Sequence, residues 1–217
     1  SLTAIKFGYK PFGLPPAGGP GTLENFGTIV GGVEGVTMWL GGTVNNHYGG
    51  TIKTETGTNA VSIGQGTSRT LFNSGTIQAT KTTGFSTGVL IQGGPSTFTN
   101  TATGVIYGDY NGVYGSASAV FTSFTNAGSI TSARGPAVEA TGGGTIVNTG
   151  TIGSTNSQGI LIRNNSDADI TNSGLTETFR RRGFESVIDL GGGEAVKSSD
   201  SLGDLLDRLP PDVPARV

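Results

Sequence analysis

An all-β parallel β-helix is the fold class this sequence predicts, on three observations. The first is composition. The chain holds 217 residues, 39 of them Gly, with only 13 % charged residues. Val, Ile and Thr recur throughout and favour extended backbone. The low charge argues against a disordered chain, and the glycines lack the three-residue period of collagen. The second is a short phrase that returns along the chain: "LENFGTIVG" at Leu23, "LFNSGTIQA" at Leu71, "SFTNAGSITS" at Ser123 and "IVNTGTIGS" at Ile146. The third is its spacing. The phrase's glycines are Gly27, Gly50, Gly75, Gly104, Gly128, Gly150 and a degenerate Gly174, at steps of 23, 25, 29, 24, 22 and 24 residues. A fixed period of this size is the mark of a solenoid.

The first element is residues 1–22, "SLTAIKFGYKPFGLPPAGGPG" and the residue after it. Pro and Gly make it an extended arm that does not join a regular stack. Phe7, Tyr9 and Phe12 are its aromatic anchors, available to cover the first coil or reach a neighbouring subunit.

The second element, residues 23–175, is the β-helix. Each period holds three strand-like phrases separated by Gly-, Ser-, Thr- and Asn-rich turns. One begins at the repeated Gly. A second is "GVTMWL" at Gly35, "AVSI", "GVLI", "GVYG", "AVEA" and "GILI" at Gly159. A third leads into an Asn: "TVNN", "TLFN", "TFTN", "SFTN", "TIVN" and "DITN". No helical apolar period appears here. One such coil cannot bury its inward face alone, so coils stack and each strand pairs with its copies above and below. Seven coils at about 4.8 Å each give a rod of roughly 30–35 Å. The expected inward residues are Ile29, Ile52, Ile77, Ile106, Ile130 and Ile152 on one face. Val36, Val61, Val89, Val113, Val138 and Ile160 line the second, and Val44, Phe98, Phe124 and Ile146 the third.

Asn stands two residues before the phrase's Gly at Asn25, Asn73, Asn126, Asn148 and Asn172. At Asn46 and Asn100 the gap is four, as though "HY" and "TA" were inserted into the same plan. Asn suits a sharp corner, where its amide bonds local backbone or the next Asn in a ladder. The Gly after it is expected to take a positive φ. These seven Asn are therefore read as a structural ladder.

The third element, residues 176–217, differs in kind. It carries 14 of the chain's 28 charged residues, against 12 in residues 23–175. "SLGDLLDRLPP" predicts a short helix, with Leu202, Leu205, Leu206 and Leu209 on one face, a capping start at Ser201 and a stop at Pro210. That apolar face calls for a surface to rest on. The tail is thus expected to cap the open strand end or to dock on another subunit. "FRRRG" at Phe179 reads as a solvated or internally paired basic cluster.

The phrases "NTGTIGS", "NAGSITS" and "NSGTIQA" resemble the repeats of autotransporter-type passenger domains. That resemblance spans residues 23–175 and implies a right-handed parallel β-helix exposed on a bacterial surface. The coils are also similar to those of phage tailspikes and other virion-surface proteins, where trimers are the analogous assembly.

Chemistry is sparsely signalled. Cysteine is absent, which removes disulfides and thiolate metal sites. The net charge of −2 gives no footprint for nucleic acid, and no apolar run reaches the roughly 20 residues of a membrane-spanning helix. His47 is the only histidine and reads as a loop residue. Asp109, Glu139, Asp167 and Asp169 are the carboxylates available to a polysaccharide-cleaving site, but they lie scattered among different turns. Tyr107, Tyr110 and Tyr114 are candidate sugar contacts near Asp109. "IDLGGGEAV" lacks the repeated aspartates of a calcium turn.

The reading is of a non-catalytic structural protein of a virion surface, a head decoration or fibre, needing no cofactor or metal. Its expected partners are its own copies, a trimer by analogy, and a larger particle such as a capsid or fibre, with a glycan as a further candidate. Neither nucleic acid nor membrane insertion is expected. A bacterial surface adhesin, cell-bound or secreted, and a polysaccharide-binding or -degrading β-helix are the alternatives.

Overall fold

A computed structural model describes residues 3–8, 18–64, 66, 68–163, 168–178 and 195–197. It is a parallel β-solenoid, the architecture of β-helix repeat proteins, and makes about six turns. The described residues contain no helix. The residues expected to matter at Tyr9, Phe12, Asp167, the basic cluster and Leu202, Leu205, Leu206 and Leu209 lie outside the described residues.

Strands of successive coils form three columns. The first column is a seven-stranded sheet of Thr28–Gly31, Thr51–Thr54, Thr76–Ala79, Val105–Gly108, Ser129–Ser132, Thr151–Ser154 and Leu175–Thr178. All its pairings are parallel, and Ile29, Ile52, Ile77, Ile106, Ile130 and Ile152 sit opposite one another in register. The second column holds Val36, Val61, Val89, Val113, Val138 and Ile160 in register. The third holds Leu23, Val44, Leu71, Phe98, Phe124, Ile146 and Ile170.

The expected inward residues are the core. Apart from Ile29 and Ile160, which lie half-buried towards the ends, every one of them is 0 % exposed. The reason is the period-2 alternation of strand side chains combined with a repeat that keeps the same phase in every coil. Like stacks on like: the rings of Phe98 and Phe124 lie parallel at 4.3 Å, and Phe121 meets Phe124 edge-on at 5.0 Å.

Two findings depart from the reading of three short strands per coil and a detached arm. Thr87–Asn100 and Asn111–Asn126 each run unbroken through both the second and third columns. They turn the corner by register shifts between Gln92 and Gly94 and between Ser96 and Thr97, a bulge that bends a strand without ending it. Moreover, Ile5–Phe7 are not excluded from the stack. They pair in parallel with Glu34–Met38, Ile5 opposite Val36 and Phe7 opposite Met38. This strand precedes the first proline of the arm, so no missing N–H interrupts it. At the other end, Ala195–Lys197 pairs antiparallel with Ala168–Asn172.

Candidate functional site

The seven asparagines form a continuous hydrogen-bonded ladder. Each donates from Nδ2 to Oδ1 of the next: Asn25 to Asn46 at 2.7 Å, Asn46 to Asn73 at 2.8 Å, and Asn73 to Asn100 at 2.8 Å. Asn100 to Asn126 follows at 2.8 Å, Asn126 to Asn148 at 2.7 Å and Asn148 to Asn172 at 2.7 Å. Asn46, Asn73, Asn100, Asn126 and Asn148 are wholly buried. Each Nδ2 also donates to the carbonyl of the phrase's own glycine, at 3.1 Å for Asn25 to Gly27 and 3.2 Å for Asn126 to Gly128. The two insertions leave this bond intact, at 3.2 Å from Asn46 to Gly50 and 3.1 Å from Asn100 to Gly104. Buried amides with both functions satisfied stabilise the stack, while any one left unpaired would weaken it.

The expected role of the glycines needs correction. None of Gly27, Gly50, Gly75, Gly104, Gly128, Gly150 or Gly174 has a positive φ. They are required by close approach of the coil before. A Cβ at Gly75 would lie 2.1 Å from the Gly50 carbonyl oxygen, and one at Gly128 would lie 2.2 Å from that of Gly104. Gly27, with no such coil against it, would meet nothing within 4 Å. Positive φ values occur at other glycines, among them Gly41 and Gly42 (74° and 136°) and Gly143 and Gly144 (69° and 116°) at the corner between the second and third columns, and Gly49 (79°) directly before Gly50.

The tyrosines are not a single platform. Tyr107 faces outward from the first column, Tyr114 from the second, opposite Glu139 in register, and Tyr110 lies at the corner between them. Burial, and then the Asp109 charge, pushes the Tyr107 phenol up. The Tyr110 ring is engaged edge-on by Phe85 at 4.7 Å and carries the Arg134 guanidinium 5.7 Å from its centroid.

Two of the candidate carboxylates, Asp109 and Glu139, are occupied. Asp109, 6 % exposed, takes a hydrogen bond from Arg134 Nε. Arg134 also donates from Nη2 to the Gly84 carbonyl at 2.8 Å. Glu139, 5 % exposed, accepts from Arg163 Nε and from Asn111 Nδ2, the latter at 3.2 Å. That hydrogen bond to Glu139 raises the Arg163 guanidinium above its ordinary value. Asp169 is exposed, opposite Thr145. Two buried carboxylates, each held by an arginine from the following coil, brace neighbouring coils. Arg69 does similar work without an anion: its Nε donates to the Gln92 carbonyl at 2.9 Å and its Nη1 to Pro95 at 3.2 Å, and burial lowers its pKa. Among the described residues, no group of three or more His, Asp and Glu has the geometry to hold a metal ion. No helix there is long and apolar enough to cross a membrane.

His47 is more than a loop residue. Its ring stacks on Phe26 at 4.0 Å and 5° between planes, and its Nε2 lies 2.6 Å from Glu24 Oε2. Asn45 Nδ2 donates to Glu24 Oε1 at 2.7 Å. These two contacts, His47 first, hold the Glu24 carboxyl below its ordinary value. Phe26 is 70 % exposed and Tyr48 79 %. Sequence reasoning missed Phe26. The signal was available: the residue after the ladder Asn is Ser74, Thr101, Ala127, Thr149 or Ser173 in later coils, and aromatic only at Phe26 and His47.

Of the seven residues expected to serve in assembly or capping, Phe7 alone lies among the described residues, half-buried with its ring against Gly21. Comparison of the chain with protein-family models, with curated proteins and with solved structures finds no match in any of the three.

Proposed function

We propose that this chain is a non-catalytic structural protein of a virion surface, of the head-decoration or fibre type. The solenoid serves as a rigid spacer, right-handed and built on seven Asn rungs. The arm and the tail serve as attachments that hold copies together, as a trimer, and fix them to a larger particle. The observation that carries this reading is the ladder. An amide chain bonded through every rung resists shear between coils, which suits a spacer. The two buried carboxylates nearest the tyrosines support it further, because both are bound to arginines and lack the free proton-transfer role that glycoside cleavage demands.

An adhesin on a bacterial surface is the second reading. It is favoured by the exposed aromatic rings of Phe26 and Tyr48, which an inert spacer does not need.

Sedimentation and light scattering test the assembly. The full chain should form a defined oligomer, and removal of residues 199–217 should dissociate or aggregate it. A clean monomer in both cases, attaching to no particle, removes the structural-assembly reading and moves the adhesin to first place.

A further inference from the structure

We infer that the two ends of the solenoid are complementary faces for a second copy of this chain, joined head to tail, and that the strand Ala195–Lys197 is the stop that prevents the joint. This goes beyond the assembly reading and is tested apart from it. That reading turns on the intact chain and residues 199–217, this one on residues 195–197.

The chain enters and leaves the stack in the same phase. Its first turn is Ile5–Phe7 in the second column, Gly21–Asn25 in the third and Thr28–Gly31 in the first. Its last turn is Ile160–Ile162, Ala168–Asn172 and Leu175–Thr178, in the same column order. Among the described residues, each first-turn strand pairs only with the coil after it. Ile160–Ile162 and Leu175–Thr178 pair only with the coil before them. A copy set on the last turn therefore continues all three columns in register, with Ile5 following Ile160, Leu23 following Ile170 and Ile29 following Thr176. Ile5, Leu23, Ile29, Ile160 and Ile170 are only half-buried, whereas Val61, Leu71 and Ile77 inside the same columns are 0 % exposed. Stacking completes the burial of the end residues.

The ladder fixes which ends meet. Every Asn Oδ1 from Asn46 to Asn172 accepts from the Asn before it. At the first rung, Asn25 Oδ1 accepts only from the Gly27 N–H, at 3.3 Å, among the described residues. At the last rung, Asn172 Nδ2 donates to the Gly174 carbonyl at 3.1 Å. One rung earlier, Asn148 Nδ2 reaches Gly150, Asn172 and Leu175. One end thus offers an acceptor and the other a donor. Two first turns face to face would oppose acceptor to acceptor and reverse the strands. A first turn on a last turn gives a bonded rung and parallel pairing. Such a contact is heterologous and does not close on itself, so it builds a rod.

One column is shut. Ala195–Lys197 pairs with Ala168–Asn172 along the edge that Gly21–Asn25 of the next copy needs, Val196 opposite Ile170 and Lys197 opposite Asp169. It runs antiparallel, while the strand on the other side of Ala168–Asn172 is parallel. An open strand edge is a template for another chain, and these three residues withdraw this edge from use.

The experiment compares the full chain with its Val196→Pro variant, since proline lacks a backbone N–H and is poorly held in a paired strand. Val196→Pro should give rods that lengthen with concentration in sedimentation velocity. In electron micrographs each copy should add about 34 Å, seven rungs at about 4.8 Å. The unaltered chain should not elongate. Val30→Pro, added to the Val196→Pro chain, should abolish the rods and leave the β circular dichroism intact. The Thr51 N–H donates to the Gly27 carbonyl and strand groups alternate in direction, so the Val30 N–H points to the open edge, where proline is tolerated. Thr28 and Leu175 are exposed, and the joint brings them into register. Thr28→Cys with Leu175→Cys should therefore link Val196→Pro copies into covalent chains, with no native cysteine to compete. The stop is overturned if the unaltered chain forms the same rods, or if Val196→Pro keeps the unaltered size or loses its β spectrum. Head-to-tail stacking is overturned if Val30→Pro leaves the rods in place, or if Thr28→Cys alone links copies as well as the pair does.

Discussion

Asn100 donates to Asn126 Oδ1 at 2.8 Å, although two inserted residues separate Asn100 from its glycine. The corner absorbs the insertion and the rung keeps its place. Asn46 does the same towards Asn73 at 2.8 Å. The ladder is thus the invariant of the repeat, and the loop around it is free to vary.

Asn126→Ala should therefore lower stability by about 1–3 kcal/mol, since it removes both a donor and an acceptor from a buried chain. Asn172→Ala, at the half-buried last rung, should have a smaller effect. Urea unfolding of both variants measures the difference. Equal effects would mean that the interior of the ladder has no special weight.

Gly128→Ala should be strongly destabilising, because its Cβ would lie 2.2 Å from the Gly104 carbonyl oxygen. Gly27→Ala should be tolerated, because nothing lies within 4 Å. Thermal melting of the pair separates the close-approach account from a conformational one. Comparable losses at both sites would favour a backbone requirement at this corner.

Ile130 is fully buried between Ile106 and Ile152. Ile130→Asp should abolish the native β signal or lower stability by several kcal/mol. Ile130→Val should fold, with a loss of about 0.5–1.5 kcal/mol. An unchanged melting point for Ile130→Asp would contradict the inward placement.

Acid should loosen the first coils. The folded Glu24 carboxyl lies below its ordinary value, through His47 first and then Asn45. The unfolded chain therefore binds the proton more readily. Its contribution is present above the ordinary glutamate range of about 4.3 and is lost as pH falls through the lower folded value. Glu24→Gln should flatten that part of the stability–pH profile below about pH 4.3. An identical profile in the variant would contradict the linkage.

The inward columns were legible in the sequence because the alternation of Ile29, Val36 and Val44 repeats in phase through every later coil. The ladder was legible for the same reason, insertions included. The reason for the glycines was not, because it lies in the carbonyl of another coil: the contact between Gly75 and Gly50 exists only once the stack is formed. Nor was the placement of Ile5–Phe7 legible, since the prolines after it dominate the composition of the arm. The Phe26–His47 stack depends on register across a coil boundary and on the exit angle of an insertion, which local pattern does not encode. The arginine clasps on Asp109 and Glu139 are likewise set by the next coil, with Arg134 and Arg163 contributed 25 and 24 residues later.

Nothing tests the ladder more directly than hydrogen exchange at the asparagine side-chain amides, followed by NMR on the intact chain. The Nδ2 protons of Asn46, Asn73, Asn100, Asn126 and Asn148 should exchange slowly, opening only with the solenoid itself, while those of Asn156, exposed at the surface with one bond to the Ala133 carbonyl at 2.7 Å, should exchange much faster. Fast exchange at the five buried amides, comparable with that of Asn156, would contradict a bonded ladder and the stacked coils that it joins.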